Sequence, residues 1–302
     1  MNKKLQELCE RGIILINKEA GRTSHDEVAF VKSILRRAGV VTKVGHSGTL
    51  DPKVTGLLVL GLGKGTKVLE YMLLSEKQYI GEMVFHDHAT REQLESAIRE
   101  FTGSIEQLPP RKSAVKREVR TRDVYKIEIQ SFDYENKNAT LLCAVERGTY
   151  IRKLFHDMGE YMGIRSHMGD LHRIKVGPFA EEEGMVTSKE FADVIMKTKS
   201  FNPFVRFRAL QQAKLLIRPI EDAVPMFWNV ILHPTVERHI GSGADVYIPG
   251  VESIDAEAQV GDTVGVYTND RELIALGVLR ITSADLAHES RGVAVETKKI
   301  LI

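Results

Sequence analysis

The stretch GHSGTLDPKVTGLLVLGLGKGTK, residues 45–67, constrains this chain more than any other. The run from Gly56 to Leu62 carries no polar side chain, so it reads as a strand buried in a core. Just before it the chain sets a lone carboxylate, Asp51, among small and turn-forming residues. Pro52 pushes Asp51 toward extended backbone and denies it a helical cap. Gly45 and Gly48 let the backbone approach a neighbour closely, as beside a ligand. Two readings of Asp51 follow: a turn residue, or a carboxylate at the mouth of a dry pocket walled by the strand behind it.

A length of 302 residues favours two domains over one. Apolar residues at 43% and charged residues at 27% suit a globular chain with a sizeable core. The longest apolar run is far too short to cross a bilayer, and the N-terminus lacks the long apolar segment of a secretory signal. Cys9 and Cys143 share no ligand-like spacing and form no disulfide framework, as expected of a protein in a reducing cytoplasm.

The first two-thirds mixes strands and helices without strict alternation. GIILINKEAG reads as a buried strand entering a turn. Capping boxes at Ser24–Glu27, Thr90–Gln93 and Thr187–Glu190 start three helices. KVLEYMLL and TYIRKLFHDMGEYMG read as further helices, KQYIGEMVF as a strand, and VYKIEIQSF with ATLLCAVE as a hairpin. These elements predict an α/β (α+β) domain with a mixed, largely antiparallel sheet. From Trp228 onward, short runs punctuated by Gly, Asp and Asn predict a small β-barrel. The division is placed at 1–215 and 216–302, with SFNPFVRFRALQQAKLLIRP as a basic, aromatic link at the edge of either domain.

GLGKGT fails both phosphate-loop patterns, and its glycines fit a tight strand-to-helix corner. His86, His88, His156, His167 and His172 lack partners at ligand spacing and read as ordinary polar residues. Tyr79 faces either a pocket or the core. Within PPRKSAVKREVRTRDVY (109–125) cations far outnumber acids, which is either a solvated face or a nucleic-acid grip. Arg152 is expected in the first turn of a helix, where the dipole disfavours a cation, so it requires an anion as partner.

Taken in order, NKEAGRTSHDEVAFVK, GHSGTLDPKVTGLLVL, KQY, PPRKSAVKREVRTR, RGTYIRKLFHDMG and HMGDLHRIKVGPF resemble the motifs of the TruB superfamily of pseudouridine synthases. SAVKREVRTR and HMGDLHRIKVGPF look most like its dyskerin-type branch, the catalytic subunit of box H/ACA ribonucleoproteins. HIGSGADVYIPGVESI and VGDTVGVYTNDRELIALGVL resemble a PUA domain, a small RNA-binding pseudo-barrel. The resemblance covers nearly the whole chain and implies a catalytic domain over 1–215 and a PUA domain over 216–302.

The resemblance implies that Asp51 is the catalytic aspartate, that Arg152 keeps it ionised, and that Tyr79 stacks on a flipped uridine. It implies that Lys18, His46, Tyr150 and Leu171 line or wedge the substrate pocket. Lys112, Lys116, Arg117, Arg120 and Arg122, with Gly243, Ala244 and Asp245, are expected to grip RNA. No metal and no organic cofactor is expected. The implied partners are box H/ACA guide RNA, an rRNA or tRNA substrate, and Nop10-like, Gar1-like and L7Ae-like proteins, with no membrane and no DNA. A stand-alone enzyme of the tRNA TΨC loop and a non-catalytic RNA scaffold are the rival readings. Asp51, Tyr79 and Arg152 are all present, which a scaffold does not require. The sequence departs from the family at Glu19-Ala20, where a proline is usual, and at Arg147, which adds a cation. It has neither the longer N-terminal extension nor the basic tail of dyskerin-type chains, so weaker bracing of the PUA domain is expected.

Overall fold

Two apolar runs pair at the centre of the protein. In the computed structural model, which describes residues 3–109, 116–236, 240, 241 and 243–302, β1 (Arg11–Lys18) and β3 (Thr55–Gly63) are antiparallel neighbours. Alternate residues of a strand face opposite sides of its sheet, yet here both sides are buried. Ile14, Ile16, Leu58, Leu60 and Leu62 enter one core. Ile13, Leu15, Leu57 and Val59 enter another. Burial on both faces is why these runs show no polar alternation.

The first core is roofed by helices α2 (Ser24–Arg37), α4 (Arg91–Phe101), α5 (Ile151–Tyr161) and α6 (Ser188–Lys197). They follow α1 (Lys3–Glu10) and alternate with β2 (Val44–His46), α3 (Leu69–Leu74), β4 (Lys77–Phe85), β5 (Gly103–Gln107), β6 (Arg120–Asp133), β7 (Asn138–Val145), β8 (Ser166–Val176) and β9 (Phe179–Ala180). A last helix, α7 (Pro203–Leu216), leads to β10 (Arg218–Pro219). The strands run β10-β1-β3-β8-β4-β7-β6-β5, with β2 on β3 and β9 on β8. Within this sheet only β3 and β8 are parallel, among the described residues. The second sheet has the order β12-β16-β15-β14-β11-β13, from β11 (Trp228–Leu232), β12 (Val246–Tyr247), β13 (Val251–Ile254), β14 (Thr263–Tyr267), β15 (Leu273–Leu279) and β16 (Val293–Ile300). The mixed, largely antiparallel architecture and the small C-terminal β-domain are as the sequence predicts.

One local expectation needs correction, and two others gain detail. The expected link after residue 200 is helix α7, capped by Asn202 with Pro203 at its first position. Its β10 continuation pairs with β1, so the chain changes sheets between Pro219 and Trp228, beyond the 215–216 division. The box of α2 is set one residue earlier: Thr23 Oγ1 accepts from Asp26 N at 3.1 Å, and Asp26 Oδ2 accepts from Thr23 N at 2.9 Å. Ser24 and Glu27 are buried instead, Glu27 accepting from Ser188 Oγ. The other two boxes form as expected.

The second sheet packs on the far side of the first. Tyr267, Leu273, Leu276 and Leu301 share a cluster with Ile13, Leu57 and Val59. Arg11 reinforces the seam, donating to Glu221 at 2.8 Å and to Leu273 O at 2.5 Å. Leu276 is fully buried at this seam. Leu276→Ala is therefore expected to cost about 2–5 kcal/mol, read as a lower denaturation midpoint. An unchanged midpoint would mean that the two sheets do not stabilise each other.

Candidate active site

The outer edge of β3 is shared. β2 pairs with its Leu60–Leu62 end and β8 with Thr55 and Gly56 only. Between them the edge is open, and residues 47–54 cross it as a loop. Its carbonyls are taken by other groups: Ser47 N donates to Val59 O at 3.0 Å, and Arg173 Nε donates to Leu57 O at 2.8 Å. Gly56 makes the approach to β8 possible. Its φ is +100°, and a Cβ there would lie 2.4 Å from Arg173 O.

This loop carries Asp51 and is fastened at each bend. Val54 N donates to Asp51 O at 3.0 Å, a turn with Pro52 at its second position. Lys18 Nζ donates to Glu19 O at 3.0 Å, Pro52 O at 3.1 Å and Val54 O at 2.7 Å. Gly21 N donates to Pro52 O at 2.8 Å, and Leu50 N donates to Ser24 Oγ at 2.8 Å. Asp51 is thus the turn residue of one reading and also the exposed carboxylate of the other.

Its partner is the expected one. Arg152 stands in the first turn of α5, which has no acidic residue there and whose Tyr150 N-cap makes no side-chain cap. The guanidinium reaches out to Asp51 Oδ2 at 2.5 Å. The expected dry pocket is absent from this arrangement. The two side chains are 56% and 57% exposed, so the apolar wall lies beneath the loop and not around the carboxylate. An ion pair this exposed adds at most about 1 kcal/mol to stability. It orients both groups more than it holds the fold.

Tyr79 is half-buried on β4, opposite Arg173 of β8 and Cys143 of β7. It packs against the first core and lies opposite Arg173, whose charged form it favours. His46 is half-buried at the end of β2, and its Nδ1 accepts from Gly48 N at 3.2 Å. Burial, with His25 and Arg173 nearby, holds its pKa below the usual histidine range, so the ring is a neutral hydrogen-bonding group. Tyr150 is pinned through its backbone: its N donates to Gln107 Oε1 at 2.9 Å, and Gln107 Nε2 donates to its O at 3.3 Å. Beside it Gln107, Pro109, Arg120, Arg122, Gly148 and Tyr150 line a small hollow.

Two expected pocket residues are placed otherwise. Lys18 is fully buried and its ammonium is committed to three carbonyls, so it braces the Asp51 turn from below. Leu171 is only 8% exposed and belongs to the core under β4. Of the expected RNA grip, Lys116 and Arg117 are exposed, and Arg120 and Arg122 are half-buried on β6. Lys112 lies outside the described residues. Asp245 Oδ1 accepts from Thr297 N at 2.9 Å, and Ala244 O accepts from Thr297 Oγ1 at 3.0 Å, while Gly243 has φ +97°. That corner of the second sheet is therefore tied to β16. Among the described residues no three His, Cys, Asp or Glu side chains cluster as a metal site would require.

The residue missed by sequence reasoning is Arg173, 1% exposed and the largest fully buried side chain. Strand alternation puts it on the same face as Leu171, and that was the available signal.

Three family profiles match consecutive parts of the chain. The TruB family pseudouridylate synthase N-terminal domain matches residues 36–90 and 86–151, the tRNA pseudouridylate synthase B C-terminal domain matches 152–225, and the PUA domain matches 229–301. A probable tRNA pseudouridine synthase B from Methanopyrus kandleri is 36% identical over 99% of this chain and 85% of its own. One from Methanosarcina barkeri is 37% identical over the same shares. Among solved structures, a Cbf5–Nop10–Gar1 complex contains a chain 35% identical, with a TM-score of 0.86 over 99% of this chain and 87% of that one. A second, an H/ACA RNP bound to a substrate RNA containing 2′-deoxyuridine, gives 32% identity and a TM-score of 0.85, over 99% and 87%. With its motifs in order on a matching fold and an aspartate–arginine pair at the split edge of β3, the chain belongs to the TruB family of pseudouridine synthases, as a dyskerin-type RNA isomerase with a C-terminal PUA domain.

Proposed function

We propose that Asp51, Tyr79 and Arg152 form the reacting centre, and that the enzyme works as the catalytic subunit of a guide-RNA particle acting on rRNA and tRNA. The observation that carries the site is the Asp51–Arg152 pair on a loop fastened at every bend. Isomerisation breaks the uridine N1–C1′ bond, turns the base, joins C5 to C1′, and moves the C5 proton off while N1 gains one. A carboxylate beside the sugar either captures C1′ or stabilises its positive charge. Both roles use the carboxylate of Asp51, which the Arg152 guanidinium holds in place. Tyr79 offers a ring for the extruded base. Because the pair is exposed in the free chain, bound RNA supplies the lid that excludes water.

Guided action is supported by the likeness to chains of the H/ACA and Cbf5–Nop10–Gar1 assemblies. On that reading Nop10-like and Gar1-like proteins bind this chain, and an L7Ae-like protein joins through the guide. Arg117, Arg120, Arg122 and the Gly243–Asp245 corner then hold RNA by backbone and shape, leaving sequence to base pairing. A stand-alone tRNA enzyme is the second reading, favoured by the names of the curated relatives.

Asp51→Asn is expected to abolish pseudouridine formation while RNA affinity and the melting curve stay as in the parent. Activity above a few per cent would leave Asp51 as a turn residue alone.

Lys18→Met is expected to destabilise by about 1–3 kcal/mol, through buried carbonyls left unpaired, and to slow turnover without weakening RNA binding. Weaker binding with turnover intact would return Lys18 to the substrate surface.

Pseudouridine mapping on rRNA and tRNA, with and without guide RNA and the partner proteins, separates the two readings. Guide-dependent modification is expected. Modification of free tRNA alone, with all partners present, would establish the stand-alone enzyme.

A further inference from the structure

Arg173 poses a problem of burial. A guanidinium taken out of water is unfavourable unless its donors are satisfied and its charge is answered. Among the described residues Arg173 forms no ion pair, although two other cations stand near enough to oppose it, Lys18 and Lys77. A leucine or methionine would fill the same space more favourably. What Arg173 does instead is meet three separate parts of the fold. Its Nε donates to Leu57 O at 2.8 Å, one amino group donates to Gly48 O at 3.2 Å, and it faces Tyr79 across the β4–β8 register, where the phenol favours its charge.

These contacts fall on both sides of the reading proposed above. Gly48 lies within the loop that presents Asp51 and Leu57 on the strand it leads into, and Tyr79 lies directly across from Arg173 in the β4–β8 register. The planar fork of arginine can hold divergent partners at once, which the single ammonium of lysine cannot. Burial draws the Arg173 pKa down while Tyr79 raises it, so the contact with Tyr79 helps to keep the guanidinium charged.

We propose that Arg173 is a positioning residue for the isomerisation, fixing the Tyr79 hydroxyl and the Asp51 loop at a set separation. It acts through Tyr79 and the loop and does not touch RNA. The proposal rests on Asp51 and Tyr79 being the reacting centre.

The test is kinetic. Arg173→Lys keeps the charge and loses the fork, and is expected to lower kcat by roughly 100-fold, the scale of a small misplacement, with KM changed by less than about threefold. In a Tyr79→Phe background the same change should cost about tenfold less than in the parent, since the hydroxyl it held is gone. Losses that simply multiply, or a change confined to KM, would overturn the proposal. A folded-state measurement stands beside it in case Arg173→Lys does not fold. In protein labelled with ¹⁵N-arginine, the Arg173 Nε–H resonance is expected to move in Tyr79→Phe and to stay in Tyr161→Phe. A resonance unmoved by Tyr79→Phe overturns the contact. Asp51→Asn separates the two levels of failure: full activity there would remove the assigned centre, whereas lost coupling with Asp51→Asn inactive would remove only the role of Arg173.

Discussion

The arrangement depends on one interruption: β3 does not pair continuously along its outer edge. A sheet edge left open in an interior would bury unpaired carbonyls. Here Ser47 N and the Arg173 side chain take them. That solution has two consequences. The segment 47–54 must lie against the gap, which brings Asp51 to the surface at the start of β3. A cation must also enter the core to complete the ladder, which sets Arg173 between the Asp51 loop and Tyr79. The same chemistry recurs beneath, where the ammonium of Lys18 donates to three carbonyls and that of Lys77 donates to Met72 O, Leu73 O and Ser75 O. Hydrogen bonds from charged donors are stronger than those between neutral groups, so these braces are stiff. None of the three forms an ion pair among the described residues, although Glu27 and Asp51 lie near enough to Lys18 to favour its charged form.

The central strands were legible because burial on both faces leaves an unmistakable run. GIILIN and TGLLVL admit no other placement once a second sheet covers the far side. Two of the three capping boxes also formed as read. The box of α2 slipped by one residue because Thr23-Asp26 and Ser24-Glu27 are equivalent on paper. Only the fold decides that Ser24 is required by Leu50 and Glu27 by Ser188. Helix α7 was hidden by its own composition. Its apolar residues fall on all sides, with Phe204 and Phe207 exposed and Ala209 and Ala213 buried, so no stripe marks a face.

The site was legible in part. The helix position of Arg152 asked only for an anion, a carboxylate or a phosphate; it was the family resemblance that named Asp51. The positions of Lys18 and Leu171 could not be read in advance. Both lie in motifs next to the site, but proximity in sequence does not say which side of a loop a long side chain takes. Arg173 shows the limit most clearly: alternation in LHRIKV puts the arginine on the face of Leu171, but only the fold shows that this face is the core.

The exposure of the Asp51–Arg152 pair also bears on where its strength is made. In water the pair contributes about 1 kcal/mol or less. At 4 Å, unit charges interact about four times more strongly when the effective dielectric falls from 80 to about 20. Under the proposed reading, that fall comes from RNA laid across the loop. The free enzyme then holds two oriented groups at little energetic cost, and the electrostatic coupling between them grows only as substrate arrives. A pocket dry beforehand would instead have to bury the carboxylate in every unbound molecule, with the desolvation penalty that burial brings. An open loop with rigid fastenings avoids that penalty and keeps the geometry, which is why the stiffness lies in the backbone braces below Asp51 and not in walls around it.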